Sequence, residues 1–255
     1  MRRPLVLAAT AVLLCAACTR VNDPEAENAV QKAVAATRQT SAQVGTTLDL
    51  SDGGSTKAQI VTNGSFDMAA DRGRLDVRPV PGTNRGDILF ADGKIYMRNV
   101  APEEVDETWL WTDRDTAESH YVFRAPYNDP EHTLIQVSQM HEVHAKGEDT
   151  VDGVRATRYT GVLDYETVVL RMAADVRGTL DAARDAYGRD LPFGAEAWVD
   201  GQGRLIQARL TFKDAKTTYA SLTMSLTELG KPVTVTPPSA DETRPAANNR
   251  NILAG

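Results

Sequence analysis

Tight-turn dipeptides recur along this chain and separate runs in which apolar and polar residues alternate. The turn signals are Ser51-Asp52-Gly53-Gly54, Asn63-Gly64, Asp71-Arg72-Gly73, Asp92-Gly93, Asp152-Gly153 and Asp200-Gly201-Gln202-Gly203. Asn-Gly and Asp-Gly supply the positive φ angles that tight hairpins demand, so the spacing predicts an antiparallel meander. Strands are expected near 41–50, 56–69, 73–80, 86–91 and 94–99, and again near 141–147, 154–164, 195–200, 204–213 and 217–229, ten or eleven in all.

Three segments carry helical spacing instead. Glu25 to Thr40 places Ala26, Ala29, Val30, Ala33, Val34 and Thr37 on one stripe. A shorter helix is expected from Asp129-Pro130-Glu131, where Asp caps and Pro suits the first turn, burying Leu134, Ile135 and Val137. A third spans about Glu166 to Tyr187, with Gly178 weakening its middle.

The late strands are one-sided: Ile206, Ala208, Leu210 and Phe212 alternate with Leu205, Gln207, Arg209 and Thr211, and Ala220, Leu222, Met224 and Leu226 alternate with Tyr219, Ser221, Thr223 and Ser225. A sheet with one apolar face must cover it, and a curved sheet wrapped over helices does so. The expected class is α+β, a curved antiparallel half-barrel over helices. With 255 residues and 42% hydrophobic side chains, the chain is large enough to bury a proper core.

The N-terminus reads as an export signal. Arg2 and Arg3 precede an apolar run from Leu5 to Leu14 that stops at Cys15-Ala16-Ala17-Cys18. Small residues before a cut and a cysteine directly after it suit lipidation, so Cys18 is the expected acceptor of a thioether-linked diacylglycerol. The pattern resembles the bacterial lipoprotein lipobox, with Cys15 standing where an aliphatic residue is usual. An ordinary secretory signal or an uncleaved anchor is the alternative, although the apolar run is shorter than the roughly 20 residues of a spanning helix. The expected organisation is a signal peptide at 1–17, a lipidated tether at 18–27, one domain at 28–236 and a flexible tail at 237–255.

This processing consumes both cysteines, leaving no disulfide and no thiol nucleophile. The net charge of −7 becomes −9 once Arg2 and Arg3 are removed, which disfavours nucleic acid and anionic head groups as partners. Membrane attachment is therefore expected through Cys18 alone. No cofactor is implied.

With these residues in place, the chain resembles the actinobacterial LppX/LprAFG-type lipoproteins, whose fold is similar to that of the LolA/LolB carriers. The likeness rests on Cys18, the helix from Glu25, the helix introduced by Asn128-Asp129-Pro130, and Glu148-Asp149-Thr150-Val151-Asp152-Gly153-Val154 leading into Arg158-Tyr159-Thr160-Gly161. The Trp198-Val199-Asp200 to Arg204-Leu205 hairpin and the ending Gly230-Lys231-Pro232-Val233 with Pro237-Pro238 complete it. The resemblance implies about eleven strands around an apolar cavity that holds acyl chains of a lipid or lipoglycan, for lipid transfer or envelope maintenance. An acyl site needs little beyond apolar surface, which explains why no motif announces it.

Candidate cavity residues follow from face and size: Ile60, Phe66, Leu75, Val77, Ile88, Phe90, Ile95, Met97, Leu210, Phe212, Leu222 and Met224. Alternation marks a buried face without distinguishing a cavity from close packing, so a filled core stands beside the cavity reading. His132, His141 and His144, with Glu131 and Glu142, do not make a metal motif, because strand alternation would send His141 and His144 to opposite faces. Glu103-Glu104-Val105-Asp106-Glu107 reads as a solvated loop, and Trp109 and Trp111 share one side as core caps or as the rim of an entrance. No nucleophile elbow, zinc-protease helix or phosphate loop is present, so an enzyme is not expected. The alternative function is a tethered sensor or scaffold for an unidentified envelope protein.

Overall fold

Consecutive hairpins build nearly all of one sheet. The computed structural model describes residues 23–51, 53–55, 57–100, 108–187, 191–213, 218–246 and 253. The first meander comprises β1 (Ser41–Ser51), β2 (Lys57–Asp67), β3 (Arg72–Val80), β4 (Arg85–Ala91), β5 (Lys94–Val100) and β6 (Trp109–Asp113). The second comprises β7 (His141–Val151), β8 (Val154–Val162), β9 (Phe193–Asp200), β10 (Leu205–Lys213) and β11 (Thr218–Thr227). They join where β1 pairs with β11, and a final short strand, β12 (Thr243–Pro245), adds parallel to β6. The result is an open, curved, twelve-stranded sheet in the order β12-β6-β5-β4-β3-β2-β1-β11-β10-β9-β8-β7.

The hairpin chemistry is visible at the turns. Asp92 and Gly93 have φ of 53° and 71°, and Asp152 and Gly153 have 48° and 81°, the paired positive values of a type I′ connection. Asp200 ties the β9–β10 turn by accepting from the Gln202 and Arg204 backbone amides, each at 2.9 Å, and from the Arg204 side chain. These bonds favour its ionised form and hold its pKa below the usual carboxylate range, although burial opposes them. Asn63-Gly64 is not a turn: Gly64 lies inside β2 opposite Leu75, where an added Cβ would run into the Arg74 carbonyl.

Helix α1 (Pro24–Thr37) is capped by the Asp23 carboxylate, which accepts from the Ala26 amide at 3.1 Å, and it buries Ala26, Val30, Ala33, Val34 and Thr37. Residues 24–27, expected in the tether, are therefore its first turn. Helix α2 (Pro130–Ser138) begins as expected, capped by Asp129. These two helices pack on each other, and their main sheet contacts fall on β7, β9 and β10.

The third expected helix is broken into α3 (Tyr165–Val168) and α4 (Ala174–Tyr187). The break falls at Arg171, with φ of 57°, and not at Gly178. There the Ser119 amide donates to the Arg171 carbonyl at 2.8 Å, and the Ala173 amide donates to the Ser119 carbonyl at 2.9 Å. A tertiary strand-like bridge thus outbids the helical periodicity. Among the described residues no helix is long and apolar enough to cross a membrane.

The tail expected from 237 onward is partly built into the fold. The chain after β11 crosses the outer face of the sheet, Val235 packs against Leu89, Tyr96 and Trp109, and Thr243–Pro245 pair with Trp109–Trp111. Leu253 belongs to the main core at 3% exposure and faces Gly86 of β4. Open ladder positions on an edge strand supply a partner that polar, aperiodic sequence does not advertise.

Candidate functional site

The inner face of the sheet brings the sequence-selected apolar residues together. Ile60 and Phe66 on β2, Leu75 and Val77 on β3, Ile88 and Phe90 on β4, Ile95 and Met97 on β5, Leu210 on β10, and Leu222 and Met224 on β11 are all buried in one continuous cluster. Phe212 packs at its half-buried margin, 5.2 Å from the Phe193 ring and 5.5 Å from Tyr219. Register explains the grouping: Leu75 pairs with Ile88, Ile88 with Met97, Phe90 with Ile95, and Leu210 with Leu222. Residues opposite one another in antiparallel strands project to the same side.

Two departures from strict alternation matter. A bulge between Leu205 and Gln207 puts Leu205 into the main core and Ile206 into a separate cluster with Ala156 and Trp198, correcting the expectation that Ile206 shares a face with Leu210. A second bulge at the start of β7, with Glu142 at φ 49°, sets His141 opposite Val162 and His144 opposite Thr160. Val162 and Thr160 share a face of β8, so the two histidines do not follow the opposite-face expectation.

The roof over the sheet differs along its width. Helices cover the β7–β10 end, whereas irregular chain from 114 to 129 and Leu253 lie against the β1–β4 and β11 part. Arg114 anchors this irregular roof. Its guanidinium is bidentate to Asp129 at 2.7 and 2.8 Å, pairs with Asp71, and stands 5.4 and 5.3 Å from the ring centres of Phe66 and Phe90. Burial opposes its charge, but the Asp129 and Glu131 carboxylates more than offset that and hold its pKa above the usual value. Arg171 reaches the same segment, donating to the Ala117 carbonyl at 3.1 Å and to the Arg114 carbonyl.

Where Arg124, Ala125 and Asn128 meet Thr46, Leu48, Ile60 and Leu222, the void is about 10 Å³. That is space for a water at most. Larger openings lie elsewhere. A groove of about 510 Å³ runs along the ends of β1 to β3 past Leu50, Ala58, Val80 and Pro81, none of them a sequence-selected candidate. Another, of about 680 Å³, lies between β7, β8 and α3 and includes His141, Asp164, Tyr165 and Arg184.

The ionisable groups around that second groove are largely satisfied by one another. His141 Nε2 stands 2.9 Å from Asp164, though without the angle of a hydrogen bond. Tyr165 donates to Asp181 at 2.6 Å and Arg177 pairs with Glu166. Burial, reinforced by Asp181, pushes the Tyr165 pKa up to about 12. His132 is buried at 3% exposure, and loss of solvent lowers its pKa to about 4, so it is a neutral core residue at pH 7. Among the described residues no group of histidine, cysteine and carboxylate side chains is placed to hold a metal ion.

Trp109 and Trp111 occupy the outer face. Trp109 is buried with Leu89, Ala91 and Tyr96, Arg98 stands over it, and Lys94 covers Trp111 at 3.7 Å. Both cap a satellite cluster, so the core-cap reading holds over the entrance rim. Cys18 and the acidic stretch at 103–107 lie outside the described residues.

This arrangement defines the fold, a one-sided antiparallel half-barrel closed over an N-terminal helix, and solved structures share it. The chain is similar to LprF from Mycobacterium bovis at a TM-score of 0.50 and 14% identity, over 86% of this chain and 99% of that one. Lipoprotein LppX from Mycobacterium tuberculosis aligns at 0.48 with 15% identity, over 84% of this chain and 100% of that one. A LolA superfamily protein from Nitrosomonas europaea aligns at 0.31 with 8% identity, over 82% and 92%. No family model matches the chain, and no curated protein matches it.

Proposed function

We propose that this is an extracytoplasmic lipoprotein, anchored to the membrane through lipidated Cys18, that binds the acyl chains of a lipid or lipoglycan for transfer or envelope maintenance. The observation that supports it best is the continuous apolar inner face whose cover, over β1–β4 and β11, is largely irregular chain with two single 3-10 turns, met at its margin by Thr133 of α2. Such a roof can be lifted without unwinding a long helix, and acyl chains can then replace Phe123, Tyr127 and Leu253 as the material against the sheet. Each Å² of apolar surface kept from water contributes about 25 cal/mol, so a C16 chain needs no special side-chain chemistry to be held. The role is non-catalytic, and the twelve candidate residues serve as the floor of the site.

Lipid extraction followed by mass spectrometry, on protein exported through its own envelope with Cys18 replaced, tests this. Co-purifying or readily taken up diacyl lipid is the expected result. A clean protein mass and no uptake of offered lipid would instead favour a tethered sensor or scaffold for an envelope protein. The observation on that side is the closely packed interior beside Ile60 and Leu222, together with the half-apolar groove at Val80, which is 44% exposed.

A further inference from the structure

Arg124 is an arginine of the roof whose guanidinium meets no carboxylate among the described residues. It is 3% exposed, and its Nε donates to Asn128 Oδ1 at 3.0 Å, while both terminal nitrogens, Nη1 and Nη2, are buried with no hydrogen-bond partner. The neighbouring acid, Asp129, is already engaged by Arg114 and by the first turn of α2. What faces Arg124 is the ring of Tyr121 at 5.5 Å and, across the small void, Thr46, Leu48, Ile60 and Leu222 on the inner face of the sheet. Thr62 pairs in register with Thr46, and its own buried hydroxyl is also without a partner.

A buried guanidinium left unpaired is strongly unfavourable, and it is usually matched by a carboxylate or coordinated ligand. Desolvation lowers the Arg124 pKa only to about 10, so the group remains a cation at neutral pH. Asn128 fixes its orientation and is itself held, through its amide nitrogen, by the Leu253 carbonyl at 3.0 Å. The two unpartnered terminal nitrogens of one planar guanidinium can present parallel N–H donors, which match the two oxygens of a carboxylate or phosphate.

Resting on the acyl-binding reading above, we infer that Arg124 is the receptor for the anionic head of the bound amphiphile, a carboxylate or phosphate, with the acyl chain continuing along Leu48, Ile60 and Leu222. The void of about 10 Å³ is too small for either head group, so the 121–128 segment must rise from the sheet to admit it. Phe123, Tyr127 and Asn128 all hold positive φ, at 60°, 51° and 59°. A segment kept in that conformation only by its contacts has several residues that relax once it lifts. Threonine hydroxyls at 46 and 62 then supply further donors to the head group.

The test uses the exported full-length protein in nanodiscs of neutral phosphatidylcholine. It is offered three photo-crosslinking C18 probes: a fatty acid, the matching alkyl phosphate and the matching alcohol. Acid and phosphate are expected to label at least about tenfold more than alcohol, the scale of a charge-assisted hydrogen-bond pair. Arg124→Met should fall to the alcohol level for all three while melting no lower than the parent, since it removes an unpaired buried charge, and Arg124→Lys should keep part of the preference. Comparing the probe ratio between parent and Arg124→Met cancels differences in partition into the bilayer.

Equal labelling by acid and alcohol, or an unchanged preference in Arg124→Met, overturns the inference and leaves acyl binding standing. Labelling by none of the probes overturns both. Complete competition of the charged probes by inorganic phosphate at millimolar concentration would assign the site to a free anion, and so overturn the amphiphile assignment as well.

Discussion

The two ends of this sheet bury similar apolar faces by different means. Over β7 to β10 the cover is α1 and α2, whose backbone polar groups are satisfied internally and whose stripes deliver Val30, Ala33, Val34, Leu134 and Val137 to the core. Over β1 to β4 the cover is mostly irregular chain with two single 3-10 turns, held by side chains: Arg114 to Asp129 and Asp71, Arg171 to two carbonyls, Asn128 to Leu253. Regular structure is cheap to satisfy and hard to displace. Irregular structure depends on a few polar clamps, so its stability is local and can be withdrawn locally.

The largest expected effect comes from cutting a clamp. Arg114→Ala leaves the Asp129 carboxylate, nearly inaccessible to solvent, without its cation, and should destabilise the protein by about 3–5 kcal/mol in urea unfolding. Hydrogen exchange should speed first at 114–129 and across β4 and β5, with β8 to β10 protected longer. Uniform loss of protection would break the comparison.

Next is the pH response of the helical roof. His132 on α2 titrates near pH 4 when folded and near 6.5 when unfolded, so the unfolded state binds the proton first as pH falls. Its contribution is complete above about pH 6.5 and declines toward pH 4, by a sum on the order of 3 kcal/mol. His132→Gln should flatten the stability profile across that window, measured as the difference between the two chains. A profile of unchanged slope would show that His132 is reached by water.

Gly73 sharpens the comparison on the floor beneath the irregular roof. An added Cβ there meets the Phe66 ring and the Ser65 carbonyl, and Phe66 is in edge contact with Phe90 at 5.1 Å. Gly73→Ala should cost about 1–3 kcal/mol by overpacking. It should also perturb the chemical shifts of Phe66 and Phe90 before those of Phe193, and a response starting at Phe193 would deny that the two ends are separable. The smallest effect belongs to the cap of α1, where Asp23→Ala should cost about 1 kcal/mol and leave the β4–β5 exchange rates untouched.

Much of the architecture was legible in the residues. The hairpins at Asp92-Gly93 and Asp152-Gly153 lie where the turn dipeptides stand, because a two-residue connection restricts φ so strongly that few side chains serve. The apolar floor was equally readable, since period-two alternation maps directly onto a face. Arg124 was not readable: nothing in Phe123-Arg124-Ala125 distinguishes a buried cation from a solvated one. The break at Arg171 was hidden for a related reason, as its competitor, Ser119, is distant in sequence.

The sequence by itself determined ten of the twelve strands, their order within each meander and the side that most of their apolar residues take, because these depend on local φ and on a period shared by neighbours. Only the tertiary structure decided that β1 closes against β11, that Ile206 turns outward at a bulge, that 243–245 become an edge strand and that Arg124 is sealed in without a carboxylate. Those outcomes depend on which distant groups compete for the same hydrogen bonds and the same space, and that competition exists only once the chain has folded.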